Sequence, residues 1–254
     1  MTAIEFDDVR KEFGRDLVAL DGVSVTVRAG EIAVLLGLSG SGKSTLLRHV
    51  DGLHRPTSGR VTVLGTDVAA LGGAELRRLR RRVGFVFQQF HLVGAMSVLE
   101  NVCTGALGSL RGPRLGLPTY PKRVRWAGLE QLERVGLRDH AFQRADTLSG
   151  GQQQRAAVAR ALIQRPEVLL ADEPVASLDP ESAAQVMRLI SDIARQDGLT
   201  VLCSLHQVDL ALSWGDRVIG LRGGSVVLDT PVDGLGREAA MSVYTSLEHV
   251  GAAT

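Results

Sequence analysis

Hydrophobic and polar positions in the first third of the chain follow the spacing of strands and helices. Residues 4–6 and 23–27 alternate between apolar and polar side chains, which predicts antiparallel strands near a sheet edge. Residues 31–36 form an apolar run that ends in glycine, which is typical of a fully buried strand. A helix is predicted to begin near Lys43. The next predicted elements are strand 59–64, helix 74–82 and strand 83–87.

The middle of the chain changes to helical spacing without an intervening strand. Helices are predicted over 98–107, 122–135 and 150–164, and the first two are separated by a Gly- and Pro-rich loop. Alternation then resumes, in the order strand 168–172, helix 180–195, strand 199–203, a helix from about 207, and strands 217–221 and 225–228. Strands that alternate with helices predict an α/β fold, with a parallel sheet covered on both faces.

These patterns predict one domain with an insertion. We expect a single domain over residues 1–248, with a core formed by 1–88 and 161–235, a helical subdomain at about 89–160, and a C-terminal tail at 249–254. The chain has 254 residues, of which 44% are hydrophobic and 22% are charged, so it can bury a sizeable core.

The net charge of the chain and the length of its apolar runs limit the partners and the location that we expect for the protein. The formal net charge is +1, so no general basic field favours nucleic acid. No apolar run approaches the roughly 20 residues that cross a bilayer, and no secretory signal is readable at the N-terminus, so we expect a cytosolic protein. Cys103 and Cys203 lack metal-ligand spacing and are expected to be small buried residues in a reducing compartment.

A phosphate-binding pattern lies between strand 31–36 and the helix that follows. It matches G-x-x-x-x-G-K-[ST] and comprises Gly37, Leu38, Ser39, Gly40, Ser41, Gly42, Lys43 and Ser44, followed by Thr45. Glycines let successive backbone N–H groups point at a phosphate beside a helix N-terminus. In such loops the lysine reaches the β- and γ-phosphates and the serine hydroxyl binds Mg²⁺. The pattern therefore predicts a nucleotide site.

A second cluster of polar residues follows the helical segment. Strand 168–172 ends in Asp172 and Glu173, where one carboxylate suits Mg²⁺ and the other suits the orientation or deprotonation of a water. Upstream, Ser149, Gly150 and Gly151 open a long helix and form a second surface suited to phosphate. Two such surfaces in one chain indicate that one of them serves the nucleotide of a partner.

The chain resembles the ATP-binding cassette (ABC) ATPases over essentially its whole length. Residues 148–152 read LSGGQ, the family's signature, and the remaining elements occur in family order. Gln88 matches the Q-loop glutamine, Asp179 the D-loop, His206 the switch histidine, and Phe13 the aromatic residue that stacks on adenine. The resemblance implies a P-loop NTPase core with an N-terminal antiparallel β subdomain and an inserted helical subdomain.

The same resemblance implies roles for individual residues. Glu173, His206 and Lys43 are expected to act in catalysis, and Ser44, Gln88 and Asp172 at Mg²⁺. ATP is expected to contact the loop residues 37–45, Phe13 and Gln88, and, across a head-to-tail homodimer, Ser149, Gly150, Gly151, Gln152 and Asp179.

The long Gly- and Pro-rich loop and five short stretches narrow the resemblance to ATP-binding subunits of bacterial phosphonate importers; the stretches are residues 88–93, 144–146, 172–180, 205–210 and 217–222. Leu38 stands where the family usually has proline, and Phe13 replaces the commoner tyrosine. The resemblance implies a translocase ATPase on the cytoplasmic face of the cell membrane. Its partners would be two transmembrane permease subunits and a periplasmic or lipid-anchored solute-binding protein, docked through Gln88 and the helical subdomain, with Phe90 and Leu92 at the contact.

Other functions stay open at this point. A non-transport ABC ATPase associated with carbon–phosphorus lyase shares the same motifs, as does an importer of another small solute. A DNA-repair relative would carry a long coiled-coil insertion, and no heptad run is present. A translation relative would usually carry two cassettes, and this sequence has one P-loop. A small-molecule P-loop kinase would lack the LSGGQ helix.

Overall fold

The structure is a computed structural model that describes residues 1–14, 17–113 and 115–244. The predicted tail at 249–254 lies outside the described residues. The strands are β1 (Thr2–Phe13), β2 (Leu17–Arg28), β3 (Ile32–Leu36), β4 (Ser58–Val63), β5 (Thr66–Asp67), β6 (Val83–Val86), β7 (Val168–Asp172), β8 (Thr200–Leu205), β9 (Arg217–Arg222) and β10 (Ser225–Pro231). The α-helices are α1 (Lys43–Val50), α2 (Gly73–Arg80), α3 (Val98–Thr104), α4 (Lys122–Arg134), α5 (Gly150–Leu162), α6 (Pro180–Asp197), α7 (Val208–Trp214) and α8 (Arg237–Met241).

The strands form two sheets. One is antiparallel, with the order β2-β1-β4-β5, and confirms the antiparallel strands expected from the N-terminal alternation. The other has the order β10-β9-β3-β8-β7-β6, in which β10 is antiparallel and the neighbouring pairs among the other strands are parallel. The α/β class with an antiparallel subdomain is thereby confirmed.

The larger sheet is buried on both faces because its strands contribute alternate side chains to two apolar clusters. Val34 and Leu36 of β3 pack in one cluster, and Ala33 and Leu35 pack in the other. All five residues of β3 are buried, as predicted from its unbroken apolar run.

Three α-helices, joined by loops and 3₁₀ turns, occupy the middle of the chain between β6 and β7, and none of the strands named above lies there. Helices α3, α4 and α5 pack against one another there. The helix predicted over 98–107 ends at Thr104, and Gly105 follows it at a close approach to α5, where a Cβ would lie 2.0 Å from the Arg160 carbonyl oxygen. The loop that follows contains two short 3₁₀ turns, Leu107–Ser109 and Leu117–Thr119.

The sheet order brings distant segments together at one edge. Strand β3 lies between β8 and β9, and β8 lies between β3 and β7. Leu36 is paired with Leu205, and Asp172 is paired with Ser204. Ligands of open α/β sheets bind at this carboxyl edge of the strands, so the fold places the loop after β3 beside the ends of β7 and β8.

Candidate nucleotide site

A pocket of about 380 Å³ opens at the carboxyl edge of the larger sheet. It is lined by Phe13, Leu17, Ala19, Ser39, Gly40, Gly42, Lys43, Ser44, Thr45, Gln88 and Glu173. Most of the nucleotide residues expected from the P-loop, the Q-loop and the end of β7 thus meet in one cavity. Leu17 and Ala19 are additional lining residues that no sequence motif indicated.

Two glycines determine the path of the loop between β3 and α1. Gly37 has φ 154°, and a Cβ there would lie 2.3 Å from the carbonyl oxygen of Leu221. Gly42, the N-cap of α1, has φ 105°, and its Cβ would lie 2.6 Å from the carbonyl oxygen of Ala19. Any side chain at either position would collide with backbone, so the loop can curl around a phosphate only with glycine here.

Lys43 is the first residue of α1, and its side chain turns back into the loop. Its Nζ donates to the carbonyl oxygens of Gly37 at 2.8 Å and Leu38 at 3.0 Å. It also lies 4.0 Å from Oε1 of Glu173. Burial lowers the pKa of Lys43, and the nearby carboxylates act in the opposite direction. The ammonium group is therefore held ready inside the loop, where it can exchange carbonyl partners for phosphate oxygens.

The next residue, Ser44, joins the loop to the end of β7. Its hydroxyl donates to Oδ1 of Asp172 at 2.8 Å, and the same carboxylate oxygen accepts from the Ser204 hydroxyl at 2.9 Å. Ser204 is fully buried and also accepts a hydrogen bond from the backbone N–H of Glu173 at 2.9 Å. Sequence motifs missed Ser204; the signal was a serine at the end of a strand paired in parallel with the acidic strand.

Glu173 and His206 are in direct contact. His206 Nε2 lies 2.5 Å from Oε1 of Glu173, and both residues follow the ends of neighbouring parallel strands. Glu173 has φ 48°, a left-handed conformation that a non-glycine residue adopts at a cost in free energy. The side chain is only 14% exposed, so this cost is associated with a carboxylate aimed into the pocket rather than into solvent.

The aromatic residue Phe13 also lines the pocket. Its ring packs edge-to-face on His54, with centroids 5.2 Å apart, and Lys11 Nζ lies 5.0 Å from its centroid. Phe13 thus lies at the end of β1 in an aromatic and cationic environment, within the same cavity as the phosphate loop.

The signature and D-loop residues do not line this pocket. Ser149 is the N-cap of α5; its hydroxyl accepts from the Gln152 N–H at 3.3 Å, and Gln152 Oε1 accepts from the Ser149 N–H at 2.9 Å. Asp179 caps α6 by accepting from the Ser182 N–H at 2.9 Å, and hydrogen bonds from the side chain and then the backbone of Ser182 hold the pKa of Asp179 below its usual value. The two motifs adjoin each other, because a Cβ on Gly151 would contact Ser182.

Comparison with known proteins agrees with this geometry. The family described as ABC transporter matches residues 20–176. The chain belongs to the ABC transporter ATP-binding family. A phosphonates import ATP-binding protein PhnC of Frankia casuarinae is 70% identical over 243 residues, which cover 96% of each chain. A phosphate-import ATP-binding protein PhnC of Mycolicibacterium smegmatis is 60% identical over 241 residues, 95% of this chain and 91% of the relative.

Solved ABC cassettes share the fold. The dimeric bacterial ABC transporter cassette MJ0796 matches with a TM-score of 0.79 at 35% identity, over 90% of this chain and 98% of that one. A dimeric post-hydrolysis state of the same cassette, bound to ADP and Pi, matches with a TM-score of 0.78 at 35% identity and the same coverage. The protein described in the preceding sections is therefore itself an ABC cassette, which binds and hydrolyses ATP. No helix among its described residues has the length and apolarity needed to span a bilayer.

Proposed function

We propose that this ABC ATPase drives solute import through separate membrane subunits, and that the solute is a phosphonate. The observation that carries the catalytic part is the convergence of Lys43, Asp172, Glu173 and His206 around the phosphate loop. The transport part is supported by the 70% identity to a protein named for phosphonate import.

The triphosphate of ATP would occupy the loop between β3 and α1. Backbone N–H groups of residues 39–45 and the N-terminus of α1 would face the phosphates, and Lys43 would neutralise charge on the β- and γ-phosphates. Adenine would stack on Phe13, which lines the same cavity.

The residues beside the phosphate loop fit Mg²⁺. The Ser44 hydroxyl and the Asp172 carboxylate are 2.8 Å apart, and Gln88 lines the same pocket, which gives the oxygen ligands that Mg²⁺ prefers. Mg²⁺ held by these residues would offset negative charge on the phosphates. Ser204 would keep Asp172 correctly oriented.

Glu173 and His206 would carry out the chemistry at the γ-phosphate. The Glu173 carboxylate would orient the attacking water and accept its proton, and the His206 imidazole would donate a hydrogen bond to the γ-phosphate. Their contact in this structure means that each residue limits the orientations available to the other.

We infer that the complete site forms between two copies. Ser149, Gly150, Gly151 and Gln152 open a helix toward solvent rather than toward their own pocket, although a helix N-terminus suits a phosphate. Head-to-tail pairing would place this signature, and Asp179 beside it, over the ATP of the partner. The dimeric state of the similar cassette MJ0796 supports this arrangement.

Docking to two membrane permease subunits would use a groove next to Gln88. The groove has a volume of about 510 Å³, and its lining includes Phe85, Phe87, His91 and Leu107. Gln88 lies between Phe87 and His91, so a movement at the nucleotide would reach the groove directly. Phe90 and Leu92, where the contact is expected from the resemblance, do not line this groove; Leu92 packs against the core, and Phe90 lies near Gly150 of α5.

The chain would therefore act on the cytoplasmic face of the bacterial membrane, held there by the permease, and a solute-binding protein would deliver the substrate. Phosphate is a second candidate solute, favoured by the name of the Mycolicibacterium relative. Both solutes carry an anionic phosphorus–oxygen group, and neither would touch this subunit.

Uptake in the native cell tests the proposal. A strain that lacks this chain should lose uptake of labelled methylphosphonate, and the wild-type chain should restore it. Glu173→Gln should not restore it, because it would bind ATP without turning it over. Labelled orthophosphate is measured in parallel: loss of orthophosphate uptake alone would select the second candidate, and loss of neither would refute both.

A substitution in the groove tests the docking. Leu107 is 43% exposed, so Leu107→Glu should leave the ATPase of the isolated protein unchanged and abolish uptake. Leu115→Glu is the matched control, since Leu115 is 82% exposed and lies outside the groove. Equal uptake by the two variants would place the permease contact elsewhere.

A further inference from the structure

The segment at 237–244, which follows β10, packs back onto the catalytic edge of the sheet. It consists of α8 and a 3₁₀ turn, Ser242–Tyr244. Ala240 and Val243 are buried at 0% and 1% exposure, and Arg237 pairs with Asp209 of α7 at 2.9 Å. The range predicted for the core, 161–235, stops short of this segment.

Val243 fixes the position of the segment against β9. A Cβ on Gly220 would lie 2.5 Å from Val243 Cγ2, so Val243 fills the space that this glycine leaves open. Gly220 is paired with Leu36, the residue directly before the phosphate loop. The segment thus rests on the sheet at the point where the phosphate loop begins.

The final residue of the turn, Tyr244, reaches the switch histidine. Its hydroxyl donates to the carbonyl oxygen of His206 at 2.9 Å. Burial raises the pKa of Tyr244, and a hydrogen bond with the backbone of Gly37 acts in the opposite direction. One phenol therefore adjoins both the first residue of the phosphate loop and the residue that contacts Glu173.

We propose that Tyr244 is a positioning residue for ATP hydrolysis, which holds the backbone of His206 so that its imidazole meets Glu173 and the γ-phosphate. His206 follows the last residue of β8, and Gln207 is the N-cap of α7, so its peptide lies at a junction between two elements. The Tyr244 hydroxyl ties this junction to the segment at 237–244. The proposal rests on the role proposed for His206.

The first test removes only the hydroxyl. Tyr244→Phe keeps the ring and should lower kcat for ATP about three- to tenfold, the cost of one hydrogen bond, with an unchanged KM. Tyr120→Phe is the matched control, because Tyr120 is the other tyrosine of the chain and lies in the helical subdomain. It should hydrolyse ATP at the wild-type rate. An unchanged kcat in Tyr244→Phe would overturn the proposal.

The second test shows whether Tyr244→Phe affects ATP hydrolysis through His206 or through a general loss of order in the segment at 237–244. In a His206→Ala background, Tyr244→Phe should cause no further loss, because the residue that it positions is gone. The affinities for ATP and for ADP are also measured for Tyr244→Phe with and without His206, because this measurement requires no turnover. Tyr244→Phe should reduce the preference for ATP over ADP only when His206 is present.

These outcomes are separable from the proposed function. If His206→Ala hydrolyses ATP at the wild-type rate, the role proposed for His206 itself is wrong. If His206→Ala loses turnover, but Tyr244→Phe causes an equal loss with and without His206, only the positioning role of Tyr244 is wrong.

Discussion

The phosphate loop and the signature are both glycine-rich turns that open a helix, yet the signature does not line the pocket that the phosphate loop forms. At the phosphate loop, side chains from the end of β7 and from the Q-loop lie around Lys43 and Ser44. At the signature, Ser149 and Gln152 satisfy each other's backbone N–H groups in a capping box. A helix N-terminus suits a phosphate in both places, but a site also requires charged groups from other elements, and in the proposed dimer the phosphate loop of the partner would supply them at the signature.

Removal of the Lys43 ammonium should break the first site most completely. Lys43→Ala should bind ATP weakly and lose turnover by at least ~10³-fold, because a buried positive charge on the phosphates disappears. Lys43→Arg should not restore full activity, since a planar guanidinium does not fit a loop shaped for an ammonium. Binding is measured with labelled ATP, and Lys122→Ala, on the exposed start of α4, is the control. Undiminished affinity in Lys43→Ala would contradict the nucleotide site.

Neutralisation of Glu173 should separate binding from chemistry. Glu173→Gln should bind MgATP normally and hydrolyse it at least ~10²-fold more slowly, because an amide cannot accept the proton of the attacking water. It should accumulate as an ATP-bound dimer on size exclusion. Glu130→Gln, on the exposed surface of α4, should behave as wild type. Turnover near the wild-type rate in Glu173→Gln would remove Glu173 from the catalytic role.

Mixing two inactive variants sharpens the comparison between the phosphate loop and the signature. Lys43→Ala damages the first, and Ser149→Arg blocks the second with bulk and charge. If the signature acts on the partner's ATP, a mixed dimer has one site with both lesions and one intact site. Random pairing then allows at most about a quarter of wild-type turnover.

The alternative geometry gives a different result. If both motifs of one chain served the same ATP, every site of the mixed dimer would keep one lesion and the mixture would stay inactive. The mixed dimer is verified with two affinity tags. A wild-type chain paired with a doubly substituted chain shows whether one intact site suffices for turnover.

The smallest expected effect concerns Ser204, whose hydroxyl bonds to the Asp172 carboxylate and to the Glu173 N–H. Ser204→Ala removes a hydrogen bond to Asp172 and one from the Glu173 N–H, so kcat should fall about three- to tenfold. The Mg²⁺ concentration needed for half-maximal turnover should rise, because Asp172 loses a partner that orients it. Ser213→Ala is the control, since that hydroxyl donates only to the Asp209 carbonyl on α7 in the part of the chain described. Identical kinetics in both variants would make Ser204 a packing residue alone.

Contiguous motifs and strand patterns were readable from the sequence. Strand β7 matches its prediction at both ends, and α1 begins at Lys43 as expected. Hydrophobic alternation and glycine spacing are local properties, so they predict elements wherever tertiary contacts do not change the chain's path. Helix α3 is an exception, since it ends at Thr104 although the pattern extends to 107.

The sequence by itself determined the phosphate loop, because its chemistry depends on backbone amides and one lysine within a run of nine residues. It also determined the acidic end of β7. Only the tertiary structure decided that Ser204 bridges Asp172 and Glu173, that Tyr244 reaches His206, and that the signature stays outside the pocket. These contacts join residues far apart in the chain, and they depend on the order of strands in the sheet, which local patterns of apolar and polar residues do not encode.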